Sequence, residues 1–208
     1  MSEKKRKILF VCTGNTCRSP MAEILLKNEL ELRGWKGLTV LSAGISAKTG
    51  DRINEKSAQT LREKGFTVEE KKSRKLTDKM LRDAHFIICM TERQKDHLLE
   101  ARWNALRKTG ETEIENNVYS FADLTGYEIL DPYGTDLDCY RYVLGLLMGG
   151  MSALIEKLGL KDLVTVSQKR GRKKTSNAPK KQTTTEVKEG NIQAEQIRLD
   201  ISFQDEKQ

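Results

Sequence analysis

Cys12 and Arg18 flank the five residues Thr13-Gly14-Asn15-Thr16-Cys17, and Ser19-Pro20 follows. A cysteine supplies a sulfur nucleophile. A guanidinium clamps two phosphate oxygens in one plane, which the point charge of a lysine does not do in that way. The continuous apolar run Ile8 to Cys12 reads as a strand covered on both faces. Ser19 and Pro20 read as the N-cap and first position of a helix, with Glu23 adding negative charge in the first turn. The intervening residues are therefore a strand-to-helix turn. A helix N-terminus there offers unpaired N–H groups and a positive dipole end to a phosphate dianion. Gly14 is expected to let the backbone curl, so that successive N–H groups form an anion nest. A thiol in such surroundings ionises more readily than a free one, so the groups that bind phosphate also favour the thiolate that attacks it. Attack at phosphorus gives a cysteinyl-phosphate, hydrolysed in a second step. The Ser19 hydroxyl can donate to the sulfur and ease its departure.

The leaving group needs a proton from across the pocket. Asp131 is chosen for this role because Asp131-Pro132 is a stiff loop element ahead of the last helix. The residues by themselves separate it only thinly from Asp123, Asp136 and Asp138. A lone cysteine in such a turn would read as a packed, inert thiol. Cysteine, glycine, arginine, serine and proline together in one turn of this topology point instead to chemistry.

The elements that must position these groups alternate along the chain. The first helix runs through Ile24, Leu25, Leu30 and Leu32 towards Gly34, and Leu38 to Ser42 is a second short strand ending in Ala43-Gly44. A helix from about Asn54 to Lys64 is closed by Gly65, and Leu76 to Ala84 is a short helix. His85 to Met90 is a third strand, and Thr91-x-x-Gln94 has the form of a capping box opening a helix towards Arg102. Val118 to Phe121 is a short fourth strand. From Asp136 to Leu158 apolar residues recur at helical spacing. Alternating strands and helices predict an α/β fold with an open parallel sheet and helices on both faces. Such sheets bind ligands beyond the carboxyl ends of their strands, where Cys12 stands.

Composition divides the 208 residues into a domain over 1–163 and a basic C-terminal tail over 164–208. The tail holds 10 Lys/Arg against 6 Asp/Glu, giving +4 of the formal net charge of +7, and its composition predicts disorder. Its cluster Lys169-Arg170-Gly171-Arg172-Lys173-Lys174 reads as a solvated run in preference to a nucleic-acid site, although it could touch nucleic acid or an acidic partner. No secretory signal and no apolar stretch long enough to span a bilayer is present, so the chain reads as cytoplasmic with no membrane partner. Cys12, Cys17, Cys89 and Cys139 have neither disulfide-framework nor zinc spacing, and His85 and His97 lie far from the first pair in sequence. Neither a metal nor another cofactor is expected.

Cys12-x5-Arg18-Ser19-Pro20, Ser42-Ala43-Gly44 and Asp131-Pro132-Tyr133 appear in the order seen in the low-molecular-weight protein tyrosine phosphatase family. The chain resembles that family over about residues 6 to 160. The resemblance implies a three-layer fold whose four-stranded parallel sheet is flanked by helices. It implies Cys12 as nucleophile, Arg18 as phosphate clamp and Asp131 as general acid. Thr13, Gly14, Asn15, Thr16, Cys17 and Ser19 would line the bound phosphate, with Asn15, Ser19 and Ser42 supporting the loop by hydrogen bonds. The implied partners are phosphorylated protein substrates. Within the family the loop is similar to that of bacterial protein-arginine phosphatases, which carry threonine where Thr16 stands, whereas tyrosine-specific members usually carry isoleucine. A threonine hydroxyl can meet a polar guanidinium, while an isoleucine suits a phenol ring and leaves guanidinium donors unpaired. The single aromatic Tyr133 ahead of Gly134 also resembles the arginine-specific branch. Tyrosine phosphatase activity is the alternative.

Oxidation could join Cys17 reversibly to Cys12 and protect the nucleophile, or Cys17 could be a packed thiol. A thiol-linked arsenate reductase would need a further cysteine pair, and Cys89 stands alone in its segment. A non-catalytic phosphoprotein-binding module would not need Cys12, Arg18 and Asp131 together.

Overall fold

The central strand β1 (Arg6–Cys12) is flanked by two parallel neighbours, β3 (Leu38–Gly44) and β4 (Phe86–Cys89), in a computed structural model that describes residues 6–110 and 116–166. β5 (Val118–Ser120) pairs parallel with β4, giving the order β3-β1-β4-β5. β1 is apolar from Ile8 onward because both of its faces are covered. Its alternating side chains feed two cores. Ile8, Phe10 and Cys12 point to the layer formed by α1 (Arg18–Leu32), α5 (Phe121–Thr125) and α6 (Leu137–Lys157). Leu9 and Val11 point to the opposite layer, with Leu81 of α3 (Asp78–Asp83) and Leu98 and Ala105 of α4 (Glu92–Arg107). The parity of β1 thus puts the Cys12 sulfur on the face that carries α1. α2 (Glu55–Glu63) packs on α6. This is the three-layer, four-stranded parallel architecture expected from the sequence.

Several local expectations change in detail. α1 begins at Arg18 with Cys17 at the cap and no side chain bonding the first turn, so Ser19 is not its N-cap. The Ser19 hydroxyl is taken up by groups of the preceding loop, and Pro20 lies inside the first turn, where a missing N–H forfeits no helix bond. Glu23 is correspondingly two residues deeper in the helix than expected, and it is buried. α4 runs on to Arg107 because Arg102, read as a polar end, is buried and donates to the carbonyl oxygens of Leu81 and Ala84. Phe121 does not extend β5 but starts α5, behind a reciprocal Ser120–Asp123 capping box. At α4 the box is incomplete: Gln94 N–H donates to Thr91 Oγ1, yet Gln94 Oε1 accepts from the N–H of Met90 rather than Thr91. Asp136 caps α6, its carboxylate accepting from Cys139 N–H at 2.9 Å.

A two-stranded antiparallel sheet, β2 (Trp35–Lys36) with β6 (Thr165–Val166), had no counterpart in the sequence reading. β6 lies past Leu163, the residue at which the composition changes. The compact unit containing all described residues is Met1–Ser167. The tail from residue 167 onward, including the basic cluster at residues 169–174, lies outside the described residues. No helix among the described residues is long and apolar enough to cross a membrane.

α5 and α6 approach closely at Gly150, where an added Cβ would lie 2.5 Å from a Phe121 ring carbon and 2.8 Å from Thr125 Cγ2. Gly150→Ala should therefore overpack this contact and cost about 1–3 kcal/mol of stability, read as a lowered midpoint in urea with an unchanged m-value.

Candidate active site

The turn between β1 and α1 is built around Asn15, the one non-glycine residue with a positive φ (55°) among the described residues. Gly14 does not take that conformation, and a Cβ on it would meet Thr16 Oγ1 at an ordinary 3.5 Å. The curl expected at the glycine is thus made by a left-handed step at Asn15, whose short amide tolerates it. That amide is fully used. Asn15 Nδ2 donates to Ser19 Oγ at 2.9 Å and to Ser42 Oγ at 2.8 Å, while Oδ1 accepts the N–H of Arg74 at 2.8 Å.

Cys12 is buried at the end of β1, with its sulfur 3.0 Å from Ser19 Oγ and accepting the N–H of Asn15 at 3.3 Å. Arg18, 3% exposed, donates from Nη1 to the carbonyl oxygen of Ile129 at 3.1 Å and from Nη2 to Asp131 Oδ2. Its Nε is buried and has no hydrogen-bond partner among the described residues. A buried guanidinium with one donor unused can grip an anion. Asp131 is further held by the N–H of Tyr133, which donates to Oδ1 at 3.2 Å. The Tyr133 ring is 73% exposed and stands at the rim. Asp123, by contrast, pairs with Lys95, Asp136 caps α6, and Asp138 pairs with Arg141. Of the four candidate carboxylates, Asp131 is the one in contact with Arg18.

The remaining loop residues are dispersed. Thr13 is exposed and its hydroxyl accepts from Gln94 Nε2 at 3.2 Å. Thr16 is half-buried, with Oγ1 3.6 Å from Cys17 Sγ. Cys17 is buried and its sulfur also lies 3.6 Å from the hydroxyl of Tyr140. Burial, followed by the neighbouring Cys17, Asp131 and Tyr133, pushes the Tyr140 phenol well above its ordinary value. Lys56 of α2 donates to the carbonyl oxygen of Thr135 and lies 5.8 Å from the centre of the Tyr140 ring, tying the segment after Asp131 to α2. Cys89 is buried beyond chemistry, its thiol pushed up to about 12 mainly by burial. Cys139 sits half-buried on α6. No cluster of metal-ligating side chains occurs among the described residues.

Gln94, Arg74, Tyr140 and Ile129 all touch the site and were not anticipated. Arg74, Tyr140 and Ile129 have no local motif that would flag them, and Gln94 was read only as part of a capping box.

Residues 7–169 match the family described as low molecular weight phosphotyrosine protein phosphatase. A probable low molecular weight protein-tyrosine-phosphatase EpsP from Ralstonia nicotianae is 30% identical over 153 residues, covering 74% of this chain and 96% of that protein. The solved YwlE arginine phosphatase from Geobacillus stearothermophilus is 32% identical with a TM-score of 0.63, over 76% of this chain and 96% of that one. A solved cysteine-to-serine mutant of YwlE arginine phosphatase, described as carrying a phosphorylated active site serine, is 29% identical with a TM-score of 0.63. It covers 74% of this chain and 95% of that one. The chain belongs to the low molecular weight phosphotyrosine protein phosphatase family. It is accordingly a cysteine-dependent protein phosphatase, a hydrolase acting on phosphorylated protein substrates.

Gly44 sets how closely β3 approaches the loop, since a Cβ there would lie 2.7 Å from Thr13 O and 2.8 Å from Asn15 N. Displacing this turn moves Asn15 and, through it, the groups that hold the Cys12 sulfur. Gly44→Ala should lower kcat/KM by roughly 100-fold, the scale of a 1 Å misplacement, while the circular-dichroism spectrum stays that of the parent.

Proposed function

We propose that Cys12 is the nucleophile, Arg18 the phosphate clamp and Asp131 the general acid of a protein-arginine phosphatase. The observation that carries this reading is the buried Arg18 side chain. It touches Asp131 on one side and keeps Nε unpartnered, while two groups from its own turn hold the Cys12 sulfur. In the first step the Cys12 thiolate attacks phosphorus, the bond from phosphorus to the substrate nitrogen breaks, and Asp131 gives that nitrogen its proton. In the second step Asp131 takes a proton from water, the oxygen attacks the cysteinyl-phosphate, and Cys12 leaves as thiolate, stabilised by the Ser19 hydroxyl. The net change is water consumed and phosphate and a free guanidinium released. Thr13, Gly14, Asn15, Thr16 and Cys17 supply the cradle around the phosphate, and Ser42 supports Asn15 from behind.

Thr16 carries the choice of substrate. Its half-buried hydroxyl gives a guanidinium a polar neighbour in place of an apolar wall. The likeness to the Geobacillus arginine phosphatase supports the same reading, and the phosphorylated serine of the mutant relative supports Cys12 as phosphate acceptor. Tyr133 forms the exposed wall beside the departing group.

Side-by-side hydrolysis decides the specificity. The chain should cleave phosphoarginine peptides at least tenfold faster, in kcat/KM, than matched phosphotyrosine peptides, and Thr16→Ile should narrow or invert that ratio. A wide preference for phosphotyrosine in the parent chain would overturn the arginine assignment. Cys12→Ser should bind phosphate yet lose turnover, and equal activity in variant and parent would remove the nucleophile. Cys17 is proposed as the resolving thiol for an oxidised Cys12. Peroxide treatment followed by peptide mapping should yield a Cys12–Cys17 crosslink that dithiothreitol reverses, and a Cys12 sulfinic acid without crosslink would exclude that role.

A further inference from the structure

Lys56 takes the second position of α2, behind the Asn54 cap whose side chain accepts the Lys56 N–H at 2.9 Å. A cation there faces the positive end of the helix dipole, the unfavourable terminus for it. The adjacent Glu55 offers no compensation, because its carboxylate pairs with Arg62 at 2.8 Å. The ammonium turns away from the helix instead. It donates to the carbonyl oxygen of Thr135, 79 residues along the chain, and lies 5.8 Å from the centre of the buried Tyr140 ring. The position breaks a local preference and satisfies a distant contact.

Thr135 closes the turn that carries Asp131. Its N–H and its hydroxyl both donate to the carbonyl oxygen of Pro132, at 3.1 and 2.6 Å, with Gly134 between them at a φ of 84°. The N–H of Tyr133 donates to Asp131 Oδ1 at 3.2 Å. Residues 131–135 are thus bonded among themselves, and a displacement of Thr135 reaches the carboxylate. Two cations from other elements hold this turn, Arg18 at Asp131 Oδ2 and Lys56 at Thr135. Substrate affects them differently. A phosphate in the cradle competes for the Arg18 guanidinium, whereas Lys56 stands outside the cradle and keeps its bond. The start of α2 is in turn fixed to the cradle, since the N–H of Asn54 donates to the carbonyl oxygen of Thr16 at 2.9 Å.

We propose that Lys56 is a positioning residue for Asp131, a latch that ties the Pro132–Thr135 turn to α2 and keeps the carboxyl over the leaving group once phosphate has drawn Arg18 away. The inference rests on Arg18 as clamp and Asp131 as general acid. It adds a residue that touches neither the substrate nor the acid.

The test compares kcat/KM of the full chain on substrates that differ in the leaving group. Para-nitrophenyl phosphate expels a stable anion, while phenyl phosphate and a phosphoarginine peptide need a proton on the departing atom. Lys56→Met should lose about tenfold on the two proton-requiring substrates, the rate equivalent of one hydrogen bond from a charged donor, and less than about twofold on para-nitrophenyl phosphate. Inhibition by orthophosphate should be unmoved, because the cradle is intact. Lys56→Arg keeps a charged donor beside the Tyr140 ring and should recover the parent rates. Asp131→Asn sets the scale: it should lose roughly 100-fold more on phenyl phosphate than on para-nitrophenyl phosphate. Adding Lys56→Met to Asp131→Asn should cost nothing further, because the two act through one group.

Equal losses on all three substrates in Lys56→Met would make Lys56 a general support of α2 and overturn the latch, as would rates unchanged on all three. If Asp131→Asn discriminates between leaving groups and Lys56→Met does not, the latch alone falls. If Asp131→Asn shows no such discrimination, the acid assignment falls and takes the latch with it. Should Lys56→Met fail to fold, Lys56→Gln, neutral and one atom shorter, is scored in the same way.

Discussion

The structure turns on one backbone step, the left-handed conformation of Asn15 between β1 and α1. An L-residue there costs on the order of 1 kcal/mol, least for asparagine, and it persists only where its surroundings over-determine it. Three hydrogen bonds from the amide, each worth about 1 kcal/mol net, offset that cost. Their partners come from α1, from β3 and from the segment before α3, so three separate parts of the fold are committed to one turn. The same step brings the Asn15 N–H onto the Cys12 sulfur and starts α1 at Arg18.

Arg18 then joins the two halves of the site. It is covalently part of α1, yet Nη1 and Nη2 of its guanidinium bond the segment before α6, through the carbonyl oxygen of Ile129 and the carboxylate of Asp131. The carboxylate is oriented from its other oxygen by the N–H of Tyr133, so it is aimed by local backbone as well as by the cation. This explains why Asp131 could be named only thinly from the residues. Only the adjacent Pro132 separates it locally from Asp136, whose carboxylate turns out to serve a helix cap.

What was legible in the sequence was what is local. β1, the turn and α1 are contiguous, and residue type with spacing described them nearly to the residue. Two errors within that stretch share one cause. Ser19 was given to the helix terminus and the curl of the backbone to Gly14, because propensity knows only neighbouring backbone. Packing supplied competing partners: the sulfur and amide for the hydroxyl, and β3 for the asparagine. The partners that were missed lie far along the chain, with Arg74 59 residues from Asn15, Gln94 81 from Thr13, Ile129 111 from Arg18 and Tyr140 123 from Cys17. Such contacts arise only when the parallel sheet assembles. β2 and β6 were missed for the same reason, each being two residues long with its pairing partner at the other end of the domain.

The unmet hydrogen-bonding capacity at Arg18 Nε has a thermodynamic side separate from turnover. A buried donor without an acceptor penalises the native state alone, since the unfolded chain satisfies it with water. Any tetrahedral oxyanion that docks there relieves the penalty and, by mass action, draws the folding equilibrium toward the native form, by about 2.7 kcal/mol at a hundredfold excess over its dissociation constant. On the role proposed for Arg18, inorganic orthophosphate, the product of the reaction, would also be a ligand that guards the protein against heat, and the resistance of this protein to denaturation would become a function of the buffer in which it is kept.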